Sequence, residues 1–151
     1  MLPKSITKLL SALPADEVSA HCDGPCGVYD PASARIAAEA VLSMTKKLID
    51  AGPAATLDEQ NTQSRYIAIK EEQAHLAKTE LLVLWTDYFK PPHLEQFPDL
   101  HDTFWKAAKL CSEVKVHVSL EAAEGLMSAI EEIHNIFWAS KSRDVAWYTA
   151  S

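Results

Sequence analysis

The sequence predicts an all-α protein, an antiparallel four-helix bundle with an N-terminal metal-binding hook. Three observations carry that expectation. Apolar residues recur at three- and four-residue intervals through most of residues 31–140. Helix start and stop signals cut this stretch into four segments joined by short connections. The one compact segment without helical periodicity, residues 21–31, holds two of the three cysteines and a histidine.

Size and composition agree. The 151 residues suffice for one domain with a real core. A net charge of −7 provides no basic face for nucleic acid or for an anionic membrane surface. No apolar run approaches membrane-spanning length. Neither nucleic acid nor membrane is therefore expected as a partner. Three cysteines are too few and too odd in number for a disulfide scaffold, which points to a reducing, cytoplasmic setting.

Residues 1–20, MLPKSITKLLSALPADEVSA, read as a leader removed on maturation, leaving residues 21–151 as the working domain. They do not make a secretory signal: Lys8 interrupts the apolar run, Pro14 breaks it, and Asp16 and Glu17 precede the small-residue end Val18-Ser19-Ala20. An amphipathic N-terminal helix is the other reading of the same residues.

The first helix opens at Asp30-Pro31, a capping residue followed by proline at the first helical position. Ile36, Ala40, Met44 and Leu48 recur along it, and Gly52-Pro53 stops it. Thr56 and Glu59 form a capping box for the second and longest helix. Its stripe runs through Ile67, Ala74, Ala77, Leu81, Leu84 and Tyr88, and Lys90-Pro91-Pro92-His93 ends it. A third helix is expected from near Pro98, carrying Leu100, Phe104, Ala107, Ala108 and Cys111. The β-branched residues 114–118 read as a loop. Ser119 caps the fourth helix, whose core face is Leu126, Ile130, Ile133 and Phe137.

The chemistry concentrates in His21-Cys22-Asp23-Gly24-Pro25-Cys26-Gly27-Val28-Tyr29-Asp30-Pro31. Two thiolates and an imidazole within six residues suit a soft or borderline transition metal. Gly24, Pro25 and Gly27 let the backbone fold back so that both sulfurs reach one ion. A structural zinc site would want four protein ligands, and no second Cys or His pair lies nearby. Planar nitrogen and sulfur coordination suits Ni(II).

This segment resembles the nickel hook of nickel superoxide dismutases. The similarity continues in Ala34-Arg35-Ile36 with Glu39, in Ile69-Lys70-Glu71, in Leu84-Trp85-Thr86-Asp87-Tyr88-Phe89-Lys90-Pro91-Pro92-His93, and in Ile136-Phe137-Trp138. It thus covers nearly all of residues 21–140. The resemblance implies that His21 supplies its α-amino nitrogen and, axially, its imidazole. It implies that Cys22 supplies its backbone nitrogen and thiolate, and Cys26 the second thiolate. One nickel per subunit would cycle between Ni(II) and Ni(III), converting superoxide to dioxygen and hydrogen peroxide. Tyr29 would stand beside the vacant axial position and Asp23 in the same wall of the hook, behind a cis bond at Gly24-Pro25. Tyr88 and Lys90 would shape the approach channel. The resemblance further implies a homohexamer and a processing peptidase that cuts between Ala20 and His21, which fits the leader reading above.

One departure stands out. In the better-known family pattern a glutamate on the first helix and an arginine on the second support the axial imidazole, and this chain carries Ala37 and Gln73 there. Both charges are missing together, which avoids an unpaired buried one. Gln73 and Glu39 are the candidates to orient His21 instead. A second function fits the same residues: a nickel- or copper-binding helical-bundle protein without dismutase turnover. A third makes the cysteines incidental to a helical interaction module. Cys111, His75, His101, His117 and His134 have no partner at ligand spacing and read as packing or surface residues.

Overall fold

The computed structural model describes residues 27–150, and the donors His21, Cys22 and Cys26, with Asp23 and the Gly24-Pro25 bond, lie outside them. Five α-helices form among the described residues and no strand: α1 Ala32–Ala51, α2 Leu57–Val83, a short α3 Pro91–Gln96, α4 Leu100–Val116 and α5 Leu120–Ser140. A π-helical turn, Leu84–Tyr88, continues α2. Helix α1 packs on α2 and α5, and α4 packs on the same two, so the long helices form a closed ring of four. Short connections at 52–56 and 117–119 make α1–α2 and α4–α5 antiparallel pairs, and the longer segment 84–99, carrying the π turn and α3, joins them into the expected bundle. Among the described residues no helix is long and apolar enough to cross a membrane.

Local signals account for most boundaries. Thr56 accepts from the Glu59 amide at 3.2 Å while Glu59 accepts from the Thr56 amide at 3.0 Å, the reciprocal box. Amides of Ala55 and Thr56 on its carboxylate hold Glu59 below the usual carboxylate range. Ser119 accepts from the Ala122 amide at 3.1 Å and starts α5. Asp30 caps α1 by accepting from the Ala32 amide at 2.8 Å.

Four expectations are corrected. The inward face of α1 is Ala34, Ala37, Ala38, Val41 and Thr45, whereas Ile36 is 57% exposed. Small side chains let α1 approach its neighbours closely, and ranking residues by hydrophobicity alone picked the wrong stripe. On α2 the core stripe is Ala74, Ala77, Leu81 and Leu84, while Ile67 is 44% exposed. Helix α4 starts at Leu100 and runs to Val116, so residues 114–116 are helical despite their β-branched side chains. Tertiary packing overrides propensity there, since Val114 is buried. Finally, Pro91 does more than end α2: it opens α3, with Lys90 held extended ahead of it (φ −128, ψ 164) as a residue preceding proline should be.

Lys70 explains how α4 ends. Its side chain is only 2% exposed, and Nζ donates to the carbonyls of Val114, Lys115 (3.1 Å) and His117 (3.2 Å). Three acceptors call for three protons, so the group is an ammonium capping a helix C-terminus, where the dipole favours a cation. Burial pushes its pKa below the ordinary amine value.

Candidate metal centre

The hook enters the described part of the molecule at Gly27. Its φ is +65, and a Cβ there would meet nothing within 4 Å. The turn after Cys26 thus needs glycine for its left-handed backbone and not for space. Val28 is exposed, and Tyr29 is half-buried against the edge of the core. Three residues later α1 begins. A cavity of about 170 Å³ at this base is lined by Val28, Tyr29, Ser33, Glu80, Val83 and Leu84.

Tyr29 meets Tyr88, their ring centroids 5.5 Å apart and tilted by 53°. The two residues with which the sequence marked hook and channel therefore touch, although 59 positions separate them. The π turn places Tyr88. Its Phe89 amide bonds back to the Leu84 carbonyl at 3.3 Å, one residue further than in an α-helix. The Tyr88 ring also packs on Phe137 (4.7 Å) and stacks on His93 (5.5 Å, 11°).

Its hydroxyl lies 2.7 Å from Ser140 Oγ, which lies 2.6 Å from the Phe137 carbonyl. The carbonyl can only accept, so Ser140 donates to it and Tyr88 donates to Ser140. His93 Nδ1 accepts from the Lys90 amide at 3.0 Å and carries no proton there.

One cation lies against Tyr88, and another follows it by two residues in the chain. Lys90 is exposed at the start of α3. Lys141 Nζ sits 5.2 Å from the Tyr88 centroid and 4.8 Å from that of Phe137. Ser140 and Lys141 were not singled out by the sequence, because a Ser-Lys pair ending an amphipathic helix looks like any solvated terminus.

Ala37 is fully buried on α1 and Gln73 half-buried on α2. Glu39 lies about 200° around α1 from Ala37. There it pairs with Arg35 at 2.6 Å and accepts from the Ala150 amide at 2.7 Å. It thus faces the C-terminal segment and does not replace a glutamate at position 37.

Other metal-type side chains serve packing. Cys111 is buried on α4 and its thiol is pushed up to about 12 by burial, so it stays protonated. His75, His101 and His117 are exposed and His134 is buried. Among the described residues no three His, Cys, Asp or Glu side chains converge on one point. A larger cavity of about 610 Å³ lies by Lys47, Asp50, Glu59 and Tyr66, at the far end of α1. It contains none of the candidate metal-site residues.

A sequence model for nickel-containing superoxide dismutase matches residues 16–141. The chain is 45% identical over 128 residues to the nickel superoxide dismutase of Streptomyces seoulensis, covering 85% of this chain and 93% of that protein. It is 44% identical, with the same coverage, to that of Streptomyces coelicolor. A native nickel superoxide dismutase structure superposes with a TM-score of 0.72 at 41% identity, covering 81% of this chain and 99% of that one. The apo form superposes at 0.69 and 38% identity, covering 76% and 98%.

Proposed function

Because the chain belongs to the nickel-containing superoxide dismutase family, we propose that His21, Cys22 and Cys26 hold its nickel, with Tyr29 and Asp23 beside the metal. The protein is a nickel-dependent superoxide dismutase, an oxidoreductase. The observation that carries the site assignment is the contact between Tyr29 and Tyr88, which seats the base of the hook on the second motif. The donor set fits the metal. Two thiolates and nitrogen donors on a turn-rich segment suit Ni(II), and Gly27 supplies the reversal directly after Cys26.

When bound, nickel supplies the one-electron chemistry, alternating between Ni(II) and Ni(III) while superoxide becomes dioxygen and hydrogen peroxide. The chain's own residues do the rest. Tyr29 narrows the space beside the metal against anions larger than superoxide. Tyr88 backs Tyr29, and its hydroxyl is anchored by Ser140 so that the ring cannot swing. Lys90 and Lys141 draw an anion towards a protein of net charge −7.

The reading extends to the rest of the chain. Residues 1–20 are a leader, cut between Ala20 and His21 by a processing peptidase in the cytoplasm. The hook closes against neighbours in a homohexamer with one nickel per subunit. The test is superoxide consumption by nickel-loaded protein beginning at His21. Turnover supports the reading. Tight nickel binding without turnover would instead leave a metal-binding relic, traceable to Ala37 and Gln73.

The steering role makes a separate prediction. Lys90→Gln and Lys141→Gln should each lower kcat/KM about 2- to 3-fold at low ionic strength, and the deficit should vanish as salt screens the field. A loss that persists in high salt would mean that the lysine acts by packing and not by charge.

A further inference from the structure

The matched family region ends at residue 141, and this chain continues for ten residues, most of them with defined contacts. Helix α5 ends in a reversal. Ser142 takes a left-handed φ of 54, its amide bonds to Ala139, and the Arg143 amide bonds to Trp138, both at 2.9 Å. The chain then runs back over α5 and onto α1. His134, 6% exposed, donates from Nε2 to the Val145 carbonyl at 2.7 Å. Trp147 sets its ring edge-on against the His134 imidazole (5.3 Å, 74°) and packs on the core.

Tyr148 lies over the Arg35 guanidinium at 4.3 Å, and the Ala150 amide donates to Glu39. Arg35 and Glu39 are joined to each other, with side chains only 6% and 11% exposed. An ion pair on the first two turns of a surface helix is ordinarily solvated and contributes little. Here the C-terminal segment covers it and takes up the second carboxylate oxygen. The covered turns are the ones from which the hook hangs, since only Asp30 and Pro31 separate Tyr29 from α1.

We propose that residues 143–150 are a strap that positions the metal hook, with Tyr148 and Ala150 fixing the Arg35–Glu39 pair and thereby the start of α1. The inference rests on the hook reading above. Helix α1 is then gripped from two sides. The face bearing Ser33 and Ala37 is held by the bundle and the hook cavity, and the face bearing Arg35 and Glu39 by the strap. A chain with Ala37 and Gln73 in place of a charged support has reason to stiffen the same helix from outside. Trp147 and Tyr148 are positioning residues, acting on the metal only through α1.

The test compares full-length processed protein with Tyr148→Ala and Tyr148→Phe. Two readouts are taken: the rate at which nickel is lost to a chelator, and amide hydrogen exchange of residues 32–39 in the metal-free protein. Val114→Ala, in the core at the far end of the bundle, serves as a control of lowered Tm. Tyr148→Ala should release nickel about tenfold faster, the scale expected when support behind a ligand is lost. It should also speed exchange at residues 32–39, and Tyr148→Phe, which keeps the ring over Arg35, should restore both. Nickel release that merely tracks Tm, as in the control, would overturn the proposal. If the parent takes up no nickel, the hook reading itself has failed. The exchange arm still decides the strap, because unaccelerated exchange in Tyr148→Ala would overturn it independently.

Discussion

A chain that retains Ala20 ahead of His21 should consume superoxide at least 100-fold more slowly than the chain that begins at His21. While Ala20 is attached, the nitrogen of His21 belongs to a peptide, a neutral and poor donor. Cleavage makes it an α-amine with a pKa of roughly 7.7–8.0, which a metal deprotonates readily. On the proposed ligation the uncut chain lacks one first-sphere nitrogen, which affects both affinity and the potential at which nickel can be oxidised, so the effect should exceed that of any supporting residue. The measurement is stopped-flow superoxide decay on the two proteins, each verified by mass and assayed at equal nickel content. Equal rates would show that the amine is not a ligand and would leave the leader without a chemical purpose. The same experiment on Cys22→Ser or Cys26→Ser separates loss of metal from loss of turnover.

Replacing Lys70 by Met should cost about 3 kcal/mol of stability and lower Tm by roughly 10 °C. Methionine keeps the length and apolar stem of lysine but offers no donor. The carbonyls of Val114, Lys115 and His117 would then lie at a buried helix end with their partner gone. Each carries part of the desolvation cost of an unsatisfied acceptor, and the negative end of the α4 dipole loses its cation. Arginine should not rescue, because its planar fork cannot direct three donors to carbonyls grouped around one point. Denaturant unfolding at a fixed protein concentration is the readout, since any assembly adds to apparent stability. A loss below about 1 kcal/mol would mean that water satisfies these carbonyls and that the cap is incidental.

Much of this architecture was legible before any coordinates. Thr56 with Glu59, Ser119 and Pro31 mark helix starts by local hydrogen-bond chemistry, which does not depend on the remainder of the fold. The Tyr29–Tyr88 contact was accessible only through resemblance, because no spacing rule relates a turn residue to a helix end 59 positions later. Lys70 was marked only within the Ile69-Lys70-Glu71 resemblance, and its capping role was hidden. On a helical wheel it is one polar residue among Glu71, Glu72 and Gln73, and its acceptors are backbone groups that leave no trace in the sequence. The stripe of α1 misled because alanines score low as hydrophobes yet permit the closest helix contacts. The C-terminal segment gave no helical periodicity, and its role emerges only from what Trp147 and Tyr148 rest upon.

The π turn at Leu84–Tyr88 has a consequence for how sequences of this kind can change. A π turn holds one residue more than the α-helix around it, so deleting any single residue there would let ordinary α bonds close without a break. The deletion would look harmless by every local criterion. The Phe89 amide already bonds to the Leu84 carbonyl, so closing the turn keeps that bond and leaves Phe89 in place, whereas the same deletion within α2 would rotate Tyr88 about 100° away from Tyr29. Single-residue deletions should therefore be tolerated in the π turn ahead of Tyr88 and purged from the α2 residues before it, where the count of residues, more than their identity, keeps the two motifs in register.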